Sequence, residues 1–390
     1  MSGQRVLPET YRKLRETHAR NDEPLKIGGC LWTVNNGGTR FYQGNRPNMT
    51  GTEAVKAIGI IASVNDAMAS RKPLFEAIGA TAHGITGIES HYPNEVSEKN
   101  FGAVVKALRA NGLVMSMMTP NLFYTYPELS FGSTNTAERM RAIESAERTV
   151  DLIYACKEEF GHMPMNVYWP GGEGWQARFQ IDPVQALHLY FGALNDVFKY
   201  DATKHKAKLR IAGEAKPNEP KDVIIIPTTA DFLANINLLD PEFRDRMGVN
   251  PETAHEMLAN LSPINPVSTA LAQGKLFHYH ANWQNGLKWD QDCGVPVNLE
   301  MLWVVHLMKE YGFDGYIGLD MQARPESKEV TTVLRNSVTN LRLLEALERK
   351  VDWEFVRELR QQGGVEAIEQ YVMLNMLQLL PRDLDVKQLL

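Results

Sequence analysis

The segment LRIAGEAKP at residues 209–217 decides the fold class, because a short apolar run ends there in charged residues and a proline. Seven other segments share this pattern of an apolar or β-rich run, a polar or Gly/Pro-marked turn and a helical stretch. They are KIGGCLWTV from Lys26, HGITGIES from His83, VMSMMTPN from Val114, MNVYWPGG from Met165, MGVNPET from Met247, KLFHYHANW from Lys275 and GYIGLDM from Gly315. Strands that alternate with helices indicate parallel βαβ units. Eight such units favour a closed (β/α)8 barrel, an α/β fold, over an open sheet.

The segments between and after these runs have helical patterns. Residues 136–160 show apolar spacing typical of an amphipathic helix, with Thr136 as the expected N-cap. Residues 51–79 are long for one connection and predict two helices. After about Thr331 the strand signal stops and three helical stretches follow. We therefore predict an N-terminal extension (1–25), a catalytic barrel (26–345) and a C-terminal helical extension (346–390), which either covers the barrel or wraps a neighbouring subunit.

Composition narrows the functional class. The chain has 390 residues, of which 44% are hydrophobic and 23% charged, as in an ordinary globular protein. A net charge of −6 argues against a nucleic-acid partner. The sequence has no apolar run long enough for a membrane span and no secretory signal, and its three cysteines indicate reduced thiols. We expect a cytoplasmic homo-oligomer, a dimer or a tetramer, that acts on a small molecule.

Ionisable residues cluster at the carboxyl ends of the last four predicted strands, where barrel enzymes hold their active sites. They are Glu214 and Lys216, Glu252 and His255, His278 and His280, Asp290 and Asp292 in the next loop, and Asp320. Each residue alone has an ordinary explanation, such as a salt-bridged surface group or a hydrogen-bonded core histidine. Together, so many buried carboxylates would repel one another without a cation. Carboxylates and imidazoles without thiolates suit Mg, Mn or Co, so the sequence predicts a divalent-metal site.

Around these residues the chain resembles the xylose (glucose) isomerase family. The resemblance covers roughly residues 26–320, and the order and spacing of several motifs together make it specific. The motifs are CLWTV, HGIT, TPNLF at Thr119, YWPGGEG at Tyr168, GEAKPNEP at Gly213, GVNPETAHE at Gly248, GKLFHYHANWQNGLKWDQD at Gly274 and LD at Leu319. The resemblance implies a TIM barrel enzyme that interconverts an aldose and a ketose with two divalent ions, through a 1,2-hydrogen shift.

Residue roles follow from the resemblance, position by position. The first ion would be held by Glu214, Glu252, His280 and Asp320. The second would be held by Glu252, His255, Asp290 and Asp292, with Glu252 as the bridge. The catalytic set would be Lys216, Asp292 and His91, with Lys216 on the substrate's carbonyl end. Trp32, Phe123 and Trp169 would form the apolar wall of the sugar pocket beside Lys216, and Glu219 would be an acid behind the ligands.

The sequence departs from the family pattern at several positions, and these leave the reaction open. The family's ring-opening His aligns with Ile88 and its Asp with His91. The family's strand-8 Lys is Gln322, and one metal position, usually Asp, is His280, as in L-rhamnose isomerases. Three functions remain: an isomerase of free sugars, a single-metal epimerase or oxidised-sugar lyase or deglycosidase, and a sugar-binding barrel without catalysis. Two ions per chain would favour the first, and one ion the second.

Overall fold

The computed structural model shows a central barrel of parallel strands surrounded by helices. It describes residues 8–35, 38–39, 42–43, 51–122, 129–170, 181–205, 209–217, 224–284, 294–321, 329–362 and 365–377. All eight strands that the sequence predicts are present. The eight barrel strands are β1 (Lys26–Cys30), β4 (Gly87–Tyr92), β5 (Val114–Pro120), β6 (Met165–Tyr168), β7 (Ile211–Gly213), β8 (Met247–Val249), β9 (Tyr279–His280) and β10 (Tyr316–Leu319). Two short strands after β1, β2 (Gly38–Thr39) and β3 (Tyr42–Gln43), form a separate antiparallel pair.

Helices fill the connections between the strands. They are α1 (Glu9–Thr17), α2 (Leu31–Asn35), α3 (Gly51–Ser70), α4 (Lys72–Ala77), α5 (Phe101–Ala110), α6 (Thr136–Phe160), α7 (Pro183–Lys204), α8 (Thr229–Asn235), α9 (Thr253–Leu258), α10 (Ile264–Ala272), α11 (Leu299–Glu310), α12 (Val330–Lys350), α13 (Trp353–Gln361) and α14 (Val365–Leu377). The predicted pair of helices between 51 and 79 is present as α3 and α4. The cap prediction for α6 was one residue late, because the side chain of Asn135 accepts the backbone N–H groups of Ala137 and Glu138.

The sheet order is β8-β7-β6-β5-β4-β1-β10-β9, and every neighbouring pair is parallel. Two isolated parallel bridges, Val249 with Leu276 and Glu252 with His280, join the first and last strands. The order and the bridges close the sheet into a TIM barrel, which confirms the predicted fold class. In such a barrel all strands end at the same rim, and the rim gathers side chains that are far apart in sequence.

Close packing of α8 against β7 fixes the strand that leads to the rim. The ring of Phe232 lies over Gly213, and a Cβ atom at Gly213 would come within 2.0 Å of it. Phe232 is itself fully buried, with its ring edge-on to Phe191 at 5.8 Å and to Tyr190 at 6.3 Å. Glycine is therefore required at the end of β7, directly before Glu214, since any side chain would displace the aromatic ring.

The C-terminal helices pack on the chain's own barrel helix. Helix α12 runs through residue 345, where we placed the end of the barrel, and α13 and α14 follow it. Val356 of α13 and Val372 of α14 are buried, and the Trp353 ring stacks on His306 at 3.7 Å. The domain division and the oligomeric state stay predictions. Within the described ranges, none of the helices combines the length and apolarity that a membrane crossing requires.

Candidate metal and sugar site

Four of the predicted ligands meet at the rim, one from the end of each of the last four barrel strands. Glu214 follows β7, Glu252 follows β8, His280 ends β9 and Asp320 follows β10. All four are buried, and each offers a ligand atom within 4.8 Å of the others. The parallel order of the barrel brings them together, since each sits at the carboxyl end of its own strand.

The imidazole of His280 lies at the centre of this group. Its Nδ1 atom is 3.0 Å from Glu214 Oε2, 3.4 Å from Glu252 Oε2 and 3.5 Å from Asp320 Oδ2. Among the described residues, neither His280 Nδ1 nor Glu252 Oε2 makes a contact with hydrogen-bond geometry. Ligands about 2.1 Å from one cation are themselves about 3.0 to 3.4 Å apart in octahedral or tetrahedral coordination. The three distances from His280 Nδ1 are close to this spacing, and the chemistry of the four donors fits a divalent cation.

The pKa shifts of three of these residues also support a bound cation. Burial, together with the neighbouring charges of Glu252 and Glu214, raises the pKa of Asp320 well above its ordinary value. Burial opposes ionisation of Glu214 too, but His280 outweighs it and lowers the pKa of Glu214. Burial would lower the pKa of His280, but the surrounding carboxylates raise it well above its ordinary value. A cation would remove this conflict, because it lets all three carboxylates stay ionised.

A second group of contacts surrounds the other oxygen of Glu252. His255 Nε2 lies 3.2 Å from Glu252 Oε1, and His255 Nδ1 lies 3.9 Å from Glu214 Oε1. Asn282 donates to Glu252 Oε1 at 2.7 Å and also to the backbone oxygen of Asp320 at 2.7 Å. The structure thus places His255 beside one oxygen of Glu252 and His280 beside the other. Two further predicted ligands of the second ion, Asp290 and Asp292, lie outside the described residues.

Three of the residues that the sequence assigned to the sugar pocket, Trp32, Trp169 and Lys216, make contacts that the structure describes. Trp32 Nε1 donates to Asp320 Oδ1 at 2.7 Å, and its ring is 4.3 Å from that of His91. Lys216 Nζ lies 5.0 Å from the centre of the Trp169 ring, a cation–π distance. Of the other residues named from the sequence, Phe123, Glu219 and Gln322 lie outside the described residues.

His91 is paired with a carboxylate that sequence reasoning did not identify. Glu95 Oε2 accepts from the backbone N–H of His91 at 2.5 Å and lies 3.0 Å from its Nδ1 atom. His91 is the second-last residue of β4, and Glu95 lies three residues after the strand ends. The signal was available as a glutamate four residues after the histidine, but only the structure shows that the intervening turn brings the two together.

Glu89, His278 and Asn250 form a buried polar layer directly beneath the ligands. Glu89 lies between two imidazoles, 3.2 Å from His278 Nε2 and 3.0 Å from His280 Nε2. Burial opposes its ionisation, but the two histidines outweigh this and hold the pKa of Glu89 well below its ordinary range. Sequence analysis noted His278 without a role and missed Glu89 and Asn250. In sequence, Glu89 is one acid inside an apolar strand, far from its partners.

Comparison with known proteins agrees with this geometry. A family model described as "Xylose isomerase-like TIM barrel" matches residues 79–343. Solved structures with the same fold include a D-tagatose 3-epimerase-like protein, at 17% identity and a TM-score of 0.51, with 66% of this chain and 89% of that chain covered. The 3-keto-D-glucoside 4-epimerase YcjR from E. coli matches at 13% identity and a TM-score of 0.55, with 82% of this chain and 99% of that chain covered. A xylose isomerase domain protein from Alicyclobacillus acidocaldarius matches at 11% identity and a TM-score of 0.55, with 83% of this chain and 99% of that chain covered.

The family match spans more than half of the chain, the eight parallel strands close into the expected barrel, and possible metal-binding carboxylates and histidines gather at its rim. The chain therefore belongs to the xylose isomerase-like TIM barrel family, whose members and structural neighbours include sugar isomerases and epimerases.

Proposed function

We propose that this protein is a metal-dependent aldose–ketose isomerase that acts on a free sugar through a 1,2-hydrogen shift. The observation that carries the proposal is the pair of environments around Glu252, with His280 3.4 Å from one oxygen and His255 3.2 Å from the other. A carboxylate with a histidine beside each oxygen has the chemistry of a bridge between two cations. We assign Glu214, Glu252, His280 and Asp320 to the first ion, and Glu252, His255, Asp290 and Asp292 to the second.

The cations, Mn, Mg or Co, would polarise the sugar's carbonyl and the adjacent hydroxyl when bound. Lys216 is placed to donate a hydrogen bond to the carbonyl oxygen, where it would offset the charge that develops during the shift. Its buried ammonium lies against the Trp169 ring, which limits where it can point. Trp32 and Trp169 present apolar faces that would exclude water from the sugar.

His91 is the acid–base group we assign to opening the sugar ring. Glu95 lies against its Nδ1 atom and orients the imidazole, and the Trp32 ring packs 4.3 Å from the other side. A carboxylate–imidazole pair of this type can accept and return a proton. The pair replaces the family histidine at the Ile88 position, which in this chain is a fully buried apolar residue.

A single-metal epimerase is the second candidate. Glu214, Glu252, His280 and Asp320 form a four-residue donor set that needs none of His255, Asp290 and Asp292. Two of the structural neighbours are named as epimerases, although at 13% and 17% identity they share only the fold. The two candidates differ in the number of ions per chain and in whether an aldose gives a ketose.

The deciding experiment counts ions and screens sugars. The protein is stripped with a chelator, reloaded with Mn, Co or Mg, weighed by native mass spectrometry and offered pentoses, hexoses and deoxyhexoses. We expect two ions per chain and ketose formation from at least one aldose. One ion per chain with epimerisation of a ketose would favour the second candidate, and no turnover of any aldose with any metal would refute the isomerase.

Three variants separate the two sites. Glu252→Gln should weaken both ions, because its carboxylate touches both histidines, whereas His255→Gln should remove only the second ion. Glu256→Gln is the matched control, since Glu256 is also buried but accepts from the Thr229 backbone N–H at 2.8 Å instead. Unchanged binding of two ions by Glu252→Gln would exclude the bridge.

A further inference from the structure

Glu89 is a fully buried carboxylate that belongs to none of the assigned roles. It projects from β4 into the barrel interior, three strands away from β9 in the sheet order. Its two oxygens are divided between two histidines of the same strand region, with Oε1 3.2 Å from His278 Nε2 and Oε2 3.0 Å from His280 Nε2. One carboxylate therefore lies against both imidazoles below the ligand group: the His280 contact has hydrogen-bond geometry, whereas the His278 contact is a close charge contact without it.

The barrel interior leaves space specifically for this carboxylate. Gly28 of β1 and Gly318 of β10 are register partners, and both face Glu89. A Cβ atom at Gly28 would lie 2.5 Å from Glu89 Oε1, and one at Gly318 would lie 2.4 Å from it. Real Cβ contacts are much longer, so a side chain at either position would displace the carboxylate. Two glycines side by side in a packed barrel are explained by the group they accommodate.

The contacts continue from Glu89 into a closed ring of five side chains. His278 Nδ1 lies 2.9 Å from Asn250 Oδ1, and Asn250 Nδ2 donates to Glu214 Oε2 at 2.6 Å. Glu214 Oε2 is in turn 3.0 Å from His280 Nδ1, and His280 returns through Nε2 to Glu89. Two of the five members, Glu214 and His280, are metal ligands in the proposed site, and the other three are not.

The ring fixes which nitrogen of His280 faces the ligand group. When an ion is bound, a hydrogen bond from Nε2 to Glu89 would leave the lone pair of Nδ1 directed at that ion. Metal-binding histidines are commonly oriented in this way by an acceptor on the other nitrogen. On the opposite side of the ring, Asn250 holds one oxygen of Glu214 with its amide group. Both ligands are thereby oriented before an ion arrives.

We propose that Glu89 is a positioning residue for the metal site, acting with His278 and Asn250 through this buried ring to preset His280 and Glu214. The inference rests on the metal site proposed above. Cys30 offers a competing role for Glu89, because its Sγ atom is 3.5 Å from Glu89 Oε2 and the two could ligate an ion with His280. The hydrogen-bond geometry instead has the Cys30 thiol donating to Glu89 Oε2, so the thiol adds one more donor that holds this carboxylate in place.

The test measures Mn²⁺ affinity and ion count in Glu89→Gln, which keeps the shape of the side chain and removes its charge. We expect Kd to rise by about 10- to 100-fold with the number of ions unchanged. In the Mg²⁺-loaded wild type, long-range ¹H–¹⁵N correlation should show His280 protonated at Nε2, a readout that a purely structural role for Glu89 would not require. Glu345→Gln is the control, because Glu345 is equally buried but pairs with Lys309 and Arg342 away from the site, so Kd should not change.

The outcomes are distinct. A wild type that binds no ion would overturn the proposed metal site itself. A wild type that binds ions, with a Glu89→Gln Kd within two-fold of it, would overturn the positioning role alone. Loss of one whole ion in Glu89→Gln would make Glu89 a ligand, which also overturns the proposal. Should Glu89→Gln fail to fold, His278→Gln breaks the same ring at the next member, and an unchanged Kd there would be equally decisive against it.

Discussion

Replacing Gly213 with alanine tests whether the packing of α8 against β7 positions Glu214. A methyl group at Gly213 would lie 2.0, 2.2 and 2.3 Å from three atoms of the Phe232 ring. Ordinary contact begins at about 3.4 Å, so the ring or the strand must move by about 1.4 Å. Phe232 cannot easily recede, because it is fully buried with Tyr190 and Phe191 against its edges.

Two effects of opposite sign set the magnitude. Inserting a methyl group into a packed core costs about 1 to 3 kcal/mol. Replacing glycine by alanine stabilises by about 0.4 to 1 kcal/mol through the unfolded chain, where the backbone tolerates it. At the middle of both ranges the packing cost is larger, so we expect Gly213→Ala to lower the free energy of unfolding by about 1.3 kcal/mol. Mn²⁺ affinity should fall with it, because the strand that shifts leads directly to Glu214.

Urea denaturation of the metal-free protein measures the stability change, and a Mn²⁺ titration measures the affinity. Gly192→Ala is the control, since a Cβ there meets nothing within 4 Å and Gly192 lies within α7, so alanine should stabilise by about 0.5 to 1 kcal/mol. Adding Phe232→Leu to Gly213→Ala should relieve the clash, with a coupling energy of about 0.5 to 3 kcal/mol. A Gly213→Ala protein as stable as the wild type, or one that Phe232→Leu does not relieve, would refute the reasoning.

Three further predictions concern the metal, the aromatic wall and acid stability. Chelation should lower the free energy of unfolding by about 2.7 kcal/mol for each bound ion, relative to protein in metal at 100 times Kd, measured by urea titration with and without EDTA; equal curves would contradict an ion bound to the folded chain. Trp32→Phe removes the N–H donor to Asp320 and keeps an apolar ring, so Mn²⁺ Kd should rise about 10-fold, while Trp303→Phe, remote from the ligands, should leave it unchanged. Burial would raise the pKa of Glu345, but Arg342 and Lys309 outweigh it and hold that pKa below the ordinary 4.5. A lowered folded-state pKa contributes stability above pH 4.5 that is lost as pH falls towards the folded value. In Glu345→Gln the free energy of unfolding should therefore fall less steeply as the solution is acidified below pH 4.5. An unchanged acid dependence would exclude the contacts of Glu345 with Arg342 and Lys309 as its source.

Most of the fold was predictable because it depends on local patterns. Each barrel strand is a short apolar run with a turn signal behind it, and all eight appear where the runs are. Helix α6 has the predicted bounds, although its cap is Asn135 rather than Thr136. Either residue can cap a helix, and the choice depends on a backbone angle that the sequence pattern does not specify.

The candidate site was predictable where strand ends carry charged residues. Glu214, Glu252, His280 and Asp320 converge because parallel strands end at one rim, which follows from the topology alone. Glu89 was not predictable in this way, since its two histidine contacts cross the barrel interior and connect positions about 190 residues apart in sequence. The sequence gives only indirect evidence for its position, namely an acidic residue inside an apolar strand and glycines at the facing positions of two other strands.

The barrel closes where β8 meets β9, and an ion at the candidate metal site would make local opening of the barrel at this seam less frequent. The backbone hydrogen bonds across this seam include Phe277 N–H to the Val249 carbonyl at 3.2 Å and His280 N–H to the Pro251 carbonyl at 2.9 Å. Glu252 and His280 form one of the bridges that close it, and both are proposed ligands of the same ion. An ion held by both residues would add a link across the join at which the barrel closes. Deuterium uptake at the amides of Phe277 and His280 should therefore slow markedly when metal is added, while uptake along β4 and β5 on the far side of the barrel stays the same.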